Sequence, residues 1–325
     1  MTDIECVISG VGGHLPDRVV TNHDLAKTVD TTDEWIRSRS GIGQRHFVAE
    51  GEVTSDLATN AAWKALDKAG LKPRDIGLII VATVTPDNTF PSTAVYVQKK
   101  LGVPTGIAFD VSAACAGFIY GLNIAHNFIS TGQVKHALII GAETLSCFLD
   151  WEDRATCVLF GDGAGAVVLS GEPPRTARRP RGVLATYLAA DGNLADHLYA
   201  DGGPSSTGTV GKVRMNGKEV FRNAVQEISD AVFEVTERAK ISRHEIDWFV
   251  PHQANIRIIQ SCAKKLELDE SKVIVTIDKH ANTSSASIPL ALEAGINDGR
   301  IERDQLLVFA ALGGGLAWGS ALVRY

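Results

Sequence analysis

Basic residues are in short supply in this 325-residue chain: 32 Lys and Arg stand against 38 Asp and Glu, for a net charge of −6. A phosphate-reading surface normally shows as a basic excess, so nucleic-acid binding has no support. No apolar run reaches membrane-spanning length, and Met1-Thr2-Asp3-Ile4-Glu5-Cys6 carries acid where a secretion signal carries base. The expectation is a cytoplasmic protein with no membrane partner. Cysteine is sparse and odd in number: Cys6, Cys115, Cys147, Cys157 and Cys262 form no close pair, which excludes a disulfide framework and fits a reducing compartment. Cys147 and Cys157 are too far apart for a metal knuckle, and no two histidines stand at i, i+4, so no metal is assigned. A hydrophobic content of 45% with 22% charged residues is that of a globular protein with ample core.

What the chain does have is one cysteine in an informative setting. Cys115 lies in Phe109-Asp110-Val111-Ser112-Ala113-Ala114-Cys115-Ala116-Gly117-Phe118, where an apolar strand is expected to turn into an apolar-faced helix. The small neighbours Ala113, Ala114, Ala116 and Gly117 leave the sulfur open to a substrate carbonyl. A thiol at a helix start also feels the positive end of the helix dipole, which favours thiolate. A lone cysteine in an apolar segment is more often structural. Two polar motifs overturn that reading here: Val250-Pro251-His252-Gln253-Ala254-Asn255 and His280-Ala281-Asn282-Thr283-Ser284.

The order of the elements repeats. An apolar strand over 76–82 precedes a helix over 92–101; an apolar strand over 246–252 precedes a helix over 256–266. A second strand follows in each half, over 106–111 and 273–277, then a helix ending at Ser130-Thr131-Gly132 or Asn297-Asp298-Gly299. A third strand follows at 136–141 and 305–310. Cys115 lies 17 residues before Gly132 and Asn282 lies 17 before Gly299, which makes the two equivalent in register. With His252 at the end of its strand, three polar groups at strand C-termini are set to meet in one cleft. The join falls in the Pro- and Arg-rich stretch 171–182, read as a solvated loop, with an acidic partner as the alternative. The stretch 191–217, rich in Gly, Ser and Asp, reads as surface loops bordering the site.

The glycine-rich segments do not read as nucleotide sites. Gly313-Gly314-Gly315 lacks the Lys-Ser/Thr of a phosphate loop, and Gly10-x-Gly12-Gly13 is followed by Pro16 rather than a helix. Glycines at 313–315 suit the close approach of a backbone N–H to a reacting oxygen. Gly161-Asp162-Gly163-Ala164-Gly165 reads as a tight turn beside the core.

These segments together resemble the thiolase-fold condensing enzymes, specifically β-ketoacyl-(acyl carrier protein) synthase III. The likeness runs nearly end to end and rests on Asp33-Glu34-Trp35-Ile36, Ala113-Ala114-Cys115-Ala116-Gly117, Gly161–Gly165, Val250-Pro251-His252-Gln253-Ala254-Asn255 and Asn282-Thr283-Ser284. The resemblance implies an α/β thiolase-like fold of two duplicated halves, 1–172 carrying Cys115 and 173–325 carrying His252 and Asn282. Each half would hold a mixed five-stranded sheet, layered αβαβα. It implies a catalytic triad of Cys115, His252 and Asn282, an oxyanion hole from the Cys115 and Gly314 N–H groups, and no cofactor, acyl-CoA being a substrate. Cys115 would take an acyl group from a short acyl-CoA, acetyl-CoA first, and pass it to malonyl carried on acyl carrier protein.

Asn282 discriminates within the superfamily. Thiolases need a second cysteine to remove a proton, and the loop Leu312-Gly313-Gly314-Gly315 has none; elongating synthases carry a second histidine where Asn282 stands. By the same likeness, Thr31, Trp35, Arg39, Arg154, Gly217 and Asn255 would line the coenzyme A channel, Trp35 and Arg154 about the adenine. Gln253, Arg257, Lys264 and Lys265 would meet the acidic carrier protein. Phe90 would close the acyl pocket across a homodimer interface. Trp151, just before Arg154, and the loop 191–210 depart from the pattern. The alternative activity is a related condensing or acyl-transfer enzyme of a secondary-metabolite pathway with another primer. A thioester-binding paralogue is disfavoured by the intact triad.

Overall fold

The computed structural model describes residues 4–175 and 179–325. Among the described residues, thirteen strands run in chain order as β1 (Glu5–His14), β2 (Arg18–Thr21), β3 (Gln44–Phe47), β4 (Leu78–Ala82), β5 (Ile107–Val111), β6 (His136–Glu143) and β7 (Gly163–Glu172), then β8 (Gly182–Ala190), β9 (Leu198–Ala200), β10 (Val213–Met215), β11 (Trp248–Pro251), β12 (Leu306–Gly313) and β13 (Ala317–Arg324). The first main sheet has the order β1-β7-β6-β4-β5, the second β11-β12-β13-β8. β4 pairs in parallel with both β5 and β6, while β7 is antiparallel to β6 and β1. The second sheet repeats this: β11 and β12 are parallel, and β13 is antiparallel to β12 and β8.

Period-two burial on both faces explains the layering. Leu78, Ile80, Ala137 and Ile139 face one cluster, while Ile79, Val81, Leu138 and Ile140 face another. In β12, Leu307, Phe309 and Ala311 turn to the shared central cluster, and Leu306, Val308 and Ala310 turn outward. The central cluster is filled by Phe118, Ile119 and Leu122 of the helix Gly117–Ser130 and by Ile288, Ala291 and Leu292 of the helix Ser287–Asn297. Helices Thr54–Ala69 and Thr93–Leu101 cover the outer face of the first sheet; Gly217–Ala239 and Ile256–Lys265 cover that of the second. Five layers, αβαβα, result. Gly12 sits within β1, where a Cβ would stand 2.5 Å from the Ala61 carbonyl oxygen, so its glycine lets the alanine-rich helix Thr54–Ala69 lie directly on the strand.

Two expectations change. The segment 273–277 is not a strand: Val273 makes a single parallel bridge to Phe249, and a helical turn Ile277–His280 follows. The second sheet therefore has four strands, with that bridge at the place of a fifth. The Gln253 side chain supplies the reason. Its Nε2 donates to Ile274 O at 3.1 Å and its Oε1 accepts from Thr276 N–H at 2.9 Å, so a side-chain amide takes the groups that a strand partner would take.

The register of the repeat also shifts. The two central helices have 14 and 11 residues, so counting back from their C-terminal glycines misaligns their starts by 14 − 11 = 3. Matching the starts instead pairs Ala114 (φ 45°) with Ser284 (φ 49°), the two positive-φ residues that open the turns before these helices. Cys115 is then equivalent to Ser285, and Asn282 to Ser112.

Of the stretch 171–182, Thr176, Ala177 and Arg178 lie outside the described residues. Its described arginines have partners within the chain: Arg175 with Asp304, Arg179 with Glu245, and Arg181 with Glu5 and Glu172. The stretch 191–217 is less irregular than its composition suggests, since β9 and β10 pair within it. No helix is long and apolar enough to cross a membrane among the described residues.

Candidate active site

Cys115 lies in the turn Ala114–Ala116 that leads into the central helix. Its thiol is 6% exposed and heads a cavity of about 1240 Å³, which Ser284, Gly314, Thr85, Phe148 and Leu198 also line. The loop after β12 presses against it: a Cβ on Gly313 would stand 2.5 Å from the Cys115 nitrogen. Only glycine permits that approach, which brings the Gly314 backbone and the Cys115 N–H into one neighbourhood.

This thiol is raised, not lowered as its place at a helix start suggests. Burial pushes it up to about 12, Glu143 adds to the rise, and the Ser284 hydroxyl opposes it. The sulfur lies in a short turn at the cavity, where loss of water is the largest influence on it. Cys115 is a thiol in the resting chain.

His252 and Asn282 meet at the start of the other central helix. His252, 2% exposed, follows β11; its backbone N–H donates to Ala310 O at 2.9 Å. Its Nδ1 lies 2.6 Å from Ser287 Oγ, the first residue of that helix. Ser287 Oγ also accepts from the Gln253 N–H at 3.3 Å, and giving its own hydrogen to Nδ1 uses its donor as well. That pattern assigns the ring proton to Nε2. Burial lowers the imidazole to about 3, so the ring is neutral. Asn282 is fixed by its backbone, donating to Leu159 O and accepting from the Gly161 N–H, both at 3.0 Å. Its Oδ1 accepts from the Ser284 N–H at 2.9 Å, which leaves the amide N–H groups as donors. Ser284 joins the two halves of the site, holding Asn282 through its backbone and standing beside Cys115 through its hydroxyl. Of these residues Ser284 lines the cavity, whereas His252, Asn282 and Ser287 do not form its wall. Ser284 stands in a quoted motif, but the part of Ser287 was not read from the sequence. A hydroxyl three residues past the motif, at a helix start, was the available signal.

The expected coenzyme A residues fall mostly in one place. The Arg39 and Arg154 guanidinium carbons lie 4.8 and 5.1 Å from the Trp35 ring centroid. Arg154 also donates to Asp30 O at 2.8 Å, beside Thr31, whose buried hydroxyl has no partner. Asn255 caps the helix Ile256–Lys265 and donates to Arg39 O at 2.9 Å. Trp35 packs against a cluster containing Phe148 and Phe160, both of which line the cavity, while Trp35, Arg39 and Arg154 do not themselves line it. Gly217 opens the helix Gly217–Ala239 behind the Asn216 cap.

The carrier-protein expectations fare unevenly. Gln253 is fully buried, its amide committed to Pro251 O, Ile274 O and Thr276 N, so it cannot meet a partner. Lys265 is half-buried and bonded to Gln226 Oε1 at 2.8 Å, with Asp230 at 3.4 Å. Arg257 and Lys264 are exposed. Phe90 is 83% exposed and off the cavity wall, although Asp87, Asn88 and Thr89 before it line that wall.

Comparison with known proteins agrees with this geometry. Residues 109–192 match the 3-oxoacyl-[acyl-carrier-protein] synthase III model, and residues 236–325 match the model of its C-terminal part. A β-ketoacyl-[acyl-carrier-protein] synthase III of Paramagnetospirillum magneticum is 57% identical over 98% of both chains. Among solved structures, the 3-oxoacyl-[acyl-carrier-protein] synthase III of Aquifex aeolicus superposes with a TM-score of 0.92 at 47% identity, covering 99% of this chain and 100% of that one. A priming β-ketosynthase of the R1128 polyketide pathway gives 0.91 at 32%, covering 99% and 97%. The chain belongs to the β-ketoacyl-[acyl-carrier-protein] synthase III family.

Proposed function

We infer that this enzyme carries out the initiating decarboxylative condensation of type II fatty acid synthesis, joining a short acyl-CoA, acetyl-CoA first, to malonyl-acyl carrier protein. One observation carries the reading: a buried thiol at the head of a cavity, against the Gly313–Gly315 loop, with a neutral imidazole and a carboxamide held at the adjoining turn.

Cys115 Sγ attacks the acyl thioester carbon. The new S–C bond replaces the bond to coenzyme A, which leaves with the thiol proton as free thiol. The Cys115 and Gly314 N–H groups stabilise the oxyanion. Malonyl-acyl carrier protein then enters, and the carbon–carboxylate bond breaks to release carbon dioxide. Its electron pair forms an enolate, stabilised by hydrogen bonds from His252 Nε2–H and the Asn282 amide. Two neutral donors suffice, because decarboxylation makes the carbanion without a base. The carbanion attacks the acyl carbon, the Cys115 sulfur departs and regains a proton from solvent, and 3-ketoacyl-acyl carrier protein is released. Thr31, Trp35, Arg39, Arg154, Gly217 and Asn255 serve coenzyme A; Arg257 and Lys264 serve the carrier protein; the enzyme works as a cytoplasmic homodimer without cofactor.

Intact mass after incubation with mixed acyl-CoAs tests the first half-reaction and names the primer. One acyl adduct is expected, and it is lost in Cys115→Ser; an undiminished adduct in that variant moves the nucleophile elsewhere. Asn282→Ala keeps the adduct while malonyl decarboxylation falls at least about 100-fold, the scale of losing an oxyanion donor. Equal loss of both steps counts against its role. The likeness to a priming ketosynthase favours, as a second reading, a secondary-metabolite primer, which would appear as a longer or branched adduct.

A further inference from the structure

Glu143 ends β6 and is fully enclosed. Its Oε2 accepts from the Val84 N–H at 3.0 Å and from the Thr85 and Thr83 hydroxyls at 2.9 and 3.2 Å. Its Oε1 lies 3.0 Å from Ser285 Oγ, on the turn that follows Asn282. Val84 and Thr85 line the cavity that Cys115 heads. One side chain thus ties the cavity loop of one half to the Asn282-bearing turn of the other. The groups packed on it from the 83–85 loop and the 284–285 turn are hydroxyls and a backbone N–H. Cys115 is the titratable group that feels its charge.

Counting hydrogens decides its protonation. Ser285 Oγ has one hydrogen, yet stands 2.8 Å from Ala82 O and 3.0 Å from Glu143 Oε1. A carbonyl oxygen has none to give, so the shorter contact takes the serine proton. The contact to Oε1 then needs a hydrogen from the carboxyl group itself. We propose that Glu143 carries its proton in the resting enzyme, donates it from Oε1 to Ser285 Oγ, and acts as a positioning residue whose neutrality leaves Cys115 free to become thiolate. The proposal rests on the reading of Cys115 as nucleophile. Burial raises the Glu143 carboxyl, in the same direction. An ionised Glu143 would instead oppose the thiolate at close range.

Glu143→Gln tests this on the full-length enzyme, because its amide copies the protonated carboxyl: the oxygen accepts from the 83–85 loop and the N–H donates to Ser285. Two measurements are made, the pH profile of Cys115 alkylation by iodoacetamide and the infrared difference between wild type and variant. The alkylation midpoint should stay within about 0.3 pH unit, and condensation within about threefold. A protonated-carboxyl C=O band should be present in wild type and absent from the variant. Glu143→Ala should acylate at least about tenfold more slowly, since the turn and loop lose their common acceptor. A fall of about one unit or more in the Gln variant's midpoint, or no lost band, shows an ionised Glu143 and overturns the proposal. Normal acylation by a merely less stable Ala variant overturns the positioning role. The infrared band does not depend on which residue is acylated, so acylation of Cys115→Ser would defeat the nucleophile reading while leaving the protonation result to stand or fall by itself.

Discussion

At the scale of single residues, burial sets the chemistry. Cys115 and His252 are both pushed toward their neutral forms, the thiol up to about 12 and the imidazole down to about 3. A neutral histidine is the form that donates from Nε2 while Ser287 holds Nδ1. This has a pH signature. With a folded value of about 3 against about 6.5 unfolded, the unfolded chain binds the extra proton between those limits, so stability is full above about pH 6.5 and is lost as pH falls toward 3. Chemical denaturation across that window should show stability rising with pH, and His252→Gln should remove a part of the slope worth on the order of a few kcal/mol. An unchanged slope would mean that His252 is not held neutral. The cysteine was legible in the sequence because its small neighbours and partner motifs are local. Its raised thiol was not, since burial is a sum over neighbours from both halves.

At the scale of elements, the two central helices are the positioning device. Each begins in a tight turn opened by a residue at positive φ, and each turn carries part of the site, Cys115 on one and Asn282 with Ser284 on the other. The repeat was visible in the order of strands and helices, but its register was not. Helix length depends on where the chain must leave the core, and three residues of difference moved the match from Asn282 to Ser285. Gln253 shows the same limit. The family resemblance implied a surface role; two of its three hydrogen bonds make it the internal partner of the 274–276 backbone, and the third goes to Pro251 O. Gln253→Ala should leave those groups unpaired and destabilise the enzyme by about 2–4 kcal/mol in urea titrations. A loss below about 0.5 kcal/mol would show that water replaces the amide.

At the scale of the whole molecule, the first sheet ends in β5, whose outer edge has no strand partner among the described residues. Ile107 on that strand is 39% exposed, and Phe90, before the helix that leads to the strand, is 83% exposed. An open edge with apolar side chains is a surface that proteins usually cover. A second copy of the chain meeting this edge is the arrangement that the homodimer proposed above would use. Ile107→Arg should therefore shift sedimentation from dimer to monomer at micromolar concentration, with unchanged far-UV circular dichroism and a higher KM for acyl-CoA. A wild-type monomer under the same conditions would rule the arrangement out.

The sequence by itself carried the resemblance that gives the fold class and marked Cys115, His252 and Asn282 as the candidate site, because their small and polar neighbours are local patterns. Only the tertiary structure decided the protonation of those groups, the register of the repeat, the burial of Gln253 and the enclosure of Glu143 between the halves. Each of these depends on what packs around the group in three dimensions, where partners range from 21 positions away for Gln253 and Ile274 to 142 for Glu143 and Ser285.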